Sequence, residues 1–172
     1  VVSRSMNAQR VIDADEHGTA SLEERLRAAH RCQEAGYRLG FHFDPMIEYP
    51  GWEDDYRRVV EEMFATVDWR RISWLSLGVL RQTHGLKRTM RERFPRTELL
   101  TGEQVPCPDG KLRYFQPLRV EMYRKMLRWI RRQAPMAKVY LCMESKEVWE
   151  QVFGYAPSCE KELGNQLVNF GF

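Results

Sequence analysis

Residues 37–45 read Y-R-L-G-F-H-F-D-P, and this stretch decides the fold. Leu39, Phe41 and Phe43 alternate with Gly40, His42 and Asp44. That is the two-residue period of a β-strand with one apolar and one polar face. Pro45 lacks a backbone donor and restricts the residue before it, so the strand is expected to stop there. His42 and Asp44 then arrive together at the carboxyl end of the strand, where parallel α/β folds bind ligands.

On the N-terminal side, Val1–Met6 alternates like a second strand, followed by Asn7 and an acidic loop over Asp13–Gly18. Ser21 and Glu24 form a capping-box pair, and Leu22, Leu26, Ala29 and Cys32 mark the apolar stripe of a helix to about Ala35. Gly36 is placed to close that helix in the left-handed conformation. On the C-terminal side, Pro45–Gly51 reads as a loop and Trp52–Thr66 as a helix with Glu53, Asp54 and Asp55 in its first turn. Ile72–Leu80 has the pattern of a third strand, with Trp74 and Ser76 on one side and Leu75 and Leu77 on the other. Thr83–Phe94 is a basic helix expected to turn Leu86, Met90 and Phe94 inward. Strand and helix therefore alternate three times with short connections, as in half of a parallel barrel or of an open α/β sheet. Three parallel strands leave open edges. Together with a first residue that is Val rather than Met, this creates the expectation of further sequence ahead of residue 1.

The remainder departs from that rhythm. Pro108-Asp109-Gly110 is a turn signal between Glu103–Cys107 and Lys111–Gln116, which predicts a β-hairpin. Its second arm carries Lys111, Arg113, Tyr114 and Phe115, cations beside aromatics, a set suited to gripping phosphates and stacking bases. From Pro117 a helix is predicted to about Gln133, with Arg124, Arg128, Arg131 and Arg132 as a basic flank. A strand over Val139–Met143, a Ser145-capped helix and a short helix near Glu160–Val168 complete the expected elements. Residues 1–98 then form one unit, and residues 99–172 an extension with hairpin 103–117, helix 117–133, strand 139–143 and short helices.

With 43% hydrophobic and 30% charged residues the chain has the composition of a globular domain, and no apolar run reaches membrane-spanning length. The four cysteines, Cys32, Cys107, Cys142 and Cys159, form no C-x-x-C pair, so a closed zinc site is not indicated and a reduced, cytoplasmic setting is expected. Charge is segregated. Residues 1–69 carry 8 basic and 14 acidic side chains, whereas residues 70–138 carry 17 and 5. A polyanionic partner and a solvated basic face both account for that middle third.

The three strands end in Ser5/Asn7, His42/Asp44 and Ser76/Arg81, which would outline one pocket. His42 and Asp44 share a strand face, but their i,i+2 spacing does not make Asp44 the orienting partner of His42. Asn7 alone reads equally as a loop cap, and Asp44 beside Pro45 as a turn residue.

At this point the chain resembles a known family. Ser5-Met6-Asn7, S-L-E-E-R-L-R-A-A, E-A-G-Y-R-L-G-F-H-F-D-P, G-W-E-D-D-Y, I-S-W-L-S-L-G-V-L-R and Y-L-C-M-E-S resemble the second half of the spore photoproduct lyase family, over about residues 1–155. The resemblance implies an α/β fold. It would be half of a partial parallel (β/α)6 barrel of the radical S-adenosylmethionine type, followed by a β-hairpin and a C-terminal α/β extension. It implies S-adenosylmethionine and a [4Fe–4S] cluster as cofactors of the parent protein, which together generate a 5′-deoxyadenosyl radical that reverts a methylene-linked thymine dimer in double-stranded DNA. It places Ser5, Asn7, His42, Asp44 and Ser76 at the cofactor, Arg81 at the sixth strand, and Arg113 and Tyr114 on the lesion-recognition hairpin, and with the segregated charge Arg81, Lys111, Arg113, Tyr114, Arg124 and Arg128 are expected toward DNA. The family's C-x-x-x-C-x-x-C cluster loop is absent from these residues. A preceding half or a partner polypeptide is expected to supply it, and this chain alone is expected to be inactive. The alternatives are a non-catalytic nucleic-acid-binding module on the same half-barrel, or a radical S-adenosylmethionine enzyme with a non-DNA substrate.

Overall fold

The computed structural model describes residues 1–95, 97–100, 102–158 and 164. The helix expected near Glu160–Val168, and Cys159, lie outside the described residues. Four strands, β1 (Val2–Ser5), β2 (Leu39–Met46), β3 (Ile72–Val79) and β7 (Val139–Leu141), form a parallel sheet in the order β1-β2-β3-β7. Helices α2 (Leu22–Glu34), α3 (Trp52–Thr66) and α5 (Gln116–Gln133) cover one face. The α/β half-barrel expected from the alternation of periods is the fold observed.

The register explains the two faces. His42 pairs with Ser5 on one side and Ser76 on the other, and Phe41 with Arg4 and Leu75. Leu39, Phe41, Phe43, Leu75 and Leu77 are fully buried beneath Tyr56, Val60, Met63, Met122 and Met126. Each such side chain contributes roughly 1.5–3 kcal/mol by burial, which fixes the register, because a one-residue slip would turn this set to the other face. The Ser21–Glu24 capping box forms as predicted, and Gly36 and Gly51 adopt the positive φ values that end α2 and begin α3.

Four expectations are corrected. First, β2 does not stop before Pro45 but runs through it to Met46. The β2–β3 register shifts between Phe43 and Met46, so no ladder hydrogen bond is asked of the proline. Second, part of the acidic loop is helix α1 (Gln9–Asp15), anchored by buried Val11 and Ile12. Third, the chain after β3 forms a short strand, β4 (Arg81–Thr83). It pairs antiparallel with β6 (Lys111–Tyr114), which also pairs with β5 (Gln104–Pro106). The predicted hairpin is thus two strands of a three-stranded sheet. Fourth, α4 (His84–Arg93) buries no residue, and Leu86 and Phe94 are about half exposed, because the helix lies over the small hairpin sheet rather than the main core. Helix α6 (Lys146–Phe153) is capped by Ser145 as expected. The C-terminal segment returns to the main sheet through β7, which pairs with β3. Among the described residues no helix is long and apolar enough to cross a membrane.

Candidate functional site

The face of the sheet opposite the helices is polar. Ser5 is exposed at the end of β1. Beside it His42 Nδ1 lies 2.8 Å from Ser76 Oγ. The His42 ring sits 4.6 Å from the Trp74 ring, and Trp74 lies 6.0 Å from Tyr140. Burial holds the His42 imidazole below its usual pKa, opposed by the Asp44 charge. Ser76 is fully buried, screened by His42 and by the Tyr140 hydroxyl, whose pKa is raised chiefly by burial and lowered by its bond to Ser76.

Further along β2, Asp44 accepts two hydrogen bonds from Arg81, at 2.8 and 3.0 Å. Gly78 makes this possible, since a Cβ there would lie 2.6 Å from the Asp44 carboxyl carbon. Gly40 likewise makes room for the Trp74 ring. Arg81 Nη2 also reaches Cys142 Sγ at 3.7 Å. Burial, then Asp44, push the Cys142 thiol up to about 11, so it stays protonated at neutral pH.

Asn7 does not join this open face. It is buried, donates to Glu16 (2.9 Å) and the Pro45 carbonyl (3.4 Å), and accepts from Tyr56 Oη (2.6 Å) and the Ala8 amide (3.0 Å). Four partners leave it little capacity for a ligand, and its direct role is to lock the chain after β1 onto α3 and the end of β2 at Pro45.

β4 carries the polar face into the hairpin, since Arg81 pairs with Arg113 across the antiparallel ladder. Arg113 forks onto Asp109 in the turn at 2.7 and 2.8 Å and donates to the Met143 carbonyl at 3.3 Å. Arg113 in turn holds the Asp109 carboxyl far below the usual carboxylate range. Tyr114 points the opposite way and is fully buried, its hydroxyl accepting the Glu48 amide at 3.1 Å, and burial pushes its pKa up to about 12. In this conformation Arg113 is committed to internal partners and Tyr114 is not at the tip. The exposed aromatic of this arm is Phe115. Lys111 stands 3.9 Å from Asp109. Arg124 binds the Gln151 carbonyl at 2.6 Å, and Arg128 is exposed without a partner among the described residues. Both belong to α5, on the helical side of the sheet, so the structure separates them from Ser5 and His42.

Sequence reasoning missed the cluster that anchors the hairpin. Buried Arg119 donates to the Tyr114 carbonyl at 2.6 Å and lies 3.2 Å from Glu144 Oε1. Tyr123 Oη donates to the same carboxylate (2.8 Å) and accepts the Val79 amide (3.0 Å). Burial first, then Glu144, push the Tyr123 phenol well above its usual pKa. A buried Arg and Glu 25 positions apart in the sequence carry no local signal.

A parallel sheet of four strands with a polar open face, continued into an antiparallel hairpin sheet, defines the class as α/β of the half-barrel kind. Within that class the chain belongs to the spore photoproduct lyase family, whose model matches residues 2–141. It is 36% identical over 102 residues to the spore photoproduct lyase of Bacillus subtilis strain 168, covering 58% of this chain and 30% of that relative. It is 35% identical over 97 residues to the enzyme of Geobacillus sp. strain Y412MC61, covering 55% and 28%. A solved spore photoproduct lyase complexed with dinucleoside spore photoproduct superposes with a TM-score of 0.70 at 30% identity, covering 81% of this chain and 44% of the other. A variant of that enzyme with bound AdoMet and dinucleoside spore photoproduct gives 0.71 at 30% identity with the same coverage. The chain therefore spans less than half the length of the relatives it matches.

Proposed function

We propose that this chain is the substrate-gripping rear half of a radical S-adenosylmethionine lyase that reverts spore photoproduct in DNA. The observation that carries the reading is the continuity of the polar sheet face, from Ser5 through His42 to Asp44–Arg81, with the hairpin that Arg81 joins by β4. Cofactor and lesion would meet along that line.

Ser5, His42 and the Trp74 ring fit the cationic cofactor. His42, held below its usual pKa, is uncharged at neutral pH and adds no repulsion to a sulfonium, while an indole face attracts a cation. Asp44 and Arg81 neutralise each other and would fix the floor of the cavity. Ser76 would act through His42 and Tyr140, and Asn7 by holding Ser5 in place. S-adenosylmethionine, when bound, supplies the radical chemistry of this class. The iron–sulfur cluster does not fit the residues present. No C-x-x-x-C-x-x-C occurs in this sequence, and no group of three metal-binding side chains exists among the described residues. A polypeptide that carries the cysteines would complete the site. Lys111 and the basic α4 would supply charge for DNA phosphates. Arg113 and Tyr114 would shape the hairpin from within, unless duplex binding turns them out.

The test is intact mass, iron content and duplex binding on the protein purified anaerobically from its source. A species heavier than 20.5 kDa, or a tightly held second polypeptide, with about four irons per complex and conversion of dinucleoside spore photoproduct to two thymidines, is expected. An iron-free species that binds duplex DNA with a steep salt dependence would replace the lyase by a nucleic-acid-binding module. Iron without DNA binding would indicate a different substrate.

A further inference from the structure

Between the hairpin, the start of α5 and the turn after β7 lies a cavity of about 550 Å³, a volume within the range of small-molecule and cofactor sites. It is separate from the Ser5–His42 face. Phe115 and Met143 both line it and are 60% and 54% exposed. Met143 has φ 54°, a left-handed conformation unusual for a side-chain-bearing residue, and its carbonyl is held by Arg113. Strain of that kind persists where the surroundings impose it and is concentrated at ligand sites. Gln116, half-buried in the lining, has no side-chain partner among the described residues. Arg119 and Glu144 also line the cavity. Glu144 Oε2 is buried there without a hydrogen-bond partner, one acceptor left unused, while Arg119 Nε faces the other carboxylate oxygen at 3.2 Å.

We infer that this cavity is a binding site for a single unstacked nucleobase, resting on the reading above that the hairpin grips DNA. The chemistry required is a flat ring with an apolar face and an edge that both donates and accepts. Phe115 offers the stacking surface, Met143 adds apolar lining, and the Gln116 amide matches such an edge with one donor and one acceptor group. Stacking between aromatic and apolar side chains with hydrogen bonds to the base edge is how proteins hold a base removed from the helix. Flipping a joined dinucleotide out of a duplex leaves bases without partners beside the hairpin, and this site would hold one of them.

The experiment titrates the whole chain with a single-stranded oligonucleotide carrying 2-aminopurine, and separately with a fully paired duplex, using wild type, Phe115→Ala and Gln116→Ala. Phe115 is mostly exposed, so its replacement leaves the fold intact, which circular dichroism checks. Stacking of one base on an aromatic side chain corresponds to about a tenfold change in affinity. The expected result is quenching of 2-aminopurine by wild type and about a tenfold loss of single-strand affinity in Phe115→Ala, with a smaller loss in Gln116→Ala and paired-duplex affinity unchanged. Single-strand binding that Phe115→Ala does not weaken, no single-strand binding by wild type, or equal losses on single strand and paired duplex would each overturn the site. Failure of the paired duplex alone to bind would count against the proposed function and leave the base site standing.

Discussion

Replacing Gly78 with alanine tests how the polar face is assembled. The added Cβ would lie 2.6 Å from the Asp44 Cγ and Oδ1 atoms and 2.8 Å from Oδ2. The carboxylate cannot simply swing away, because Arg81 holds both oxygens and the pair is only 15–18% exposed. Overpacking of this kind costs about 1–3 kcal/mol, and a midpoint of about 2 kcal/mol lowers the melting temperature of a chain this size by roughly 4–8 °C. Asp44→Ala alone is also destabilising, since it leaves the Arg81 guanidinium half-buried without its carboxylate. In the Asp44→Ala background, however, the space at Gly78 is open. There Gly78→Ala should be neutral or slightly stabilising, by up to about 1 kcal/mol through the unfolded chain. The four proteins form a double-mutant cycle with an expected coupling of about 2 kcal/mol, read by urea unfolding monitored through tryptophan fluorescence. Additive effects within about 0.5 kcal/mol, or a neutral Gly78→Ala in the wild-type background, would refute the argument that Gly78 exists to seat the Asp44–Arg81 pair.

Three further outcomes follow from the same geometry. Tyr123→Phe removes the acceptor of the Val79 amide and the donor to Glu144 together, and should cost about 1–3 kcal/mol in urea unfolding while loosening the hairpin in amide exchange at Tyr114. The lowered His42 pKa means that the folded protein binds this proton less readily than the unfolded chain. Its stabilising contribution is therefore complete above the unfolded imidazole value of about 6.5 and is lost as pH falls from there through the lower folded value; His42→Gln should flatten the stability profile in that window. Cys142, with a thiol pushed up to about 11, should alkylate at pH 8 about two orders of magnitude more slowly than an ordinary exposed cysteine, measured by mass spectrometry of the labelled peptides.

The alternation around Leu39–Asp44 made the parallel sheet legible, because period two and apolar side chains at every second position admit one buried face and one register. Capping residues, the Pro108-Asp109-Gly110 turn and the arginine-rich α5 are equally local signals, and each produced the element expected. Ser5, His42 and Asp44 were legible as a set because strand ends in a parallel sheet lie side by side. Pairings between distant positions were not. Nothing near Asn7 announces that Tyr56 and Glu16 will saturate it, and nothing near Arg113 or Tyr114 tells that both are buried. Arg113 is committed because Asp109 is four residues back across a turn, and Tyr114 is buried because its side chain enters the main core, where its hydroxyl accepts the Glu48 amide. The sequence by itself determined the class of fold and the line of residues along the polar face from which the candidate site is drawn. Tertiary structure alone decided which of those side chains remain free to meet a ligand, since hydrogen-bond capacity and exposure depend on partners brought from far along the chain.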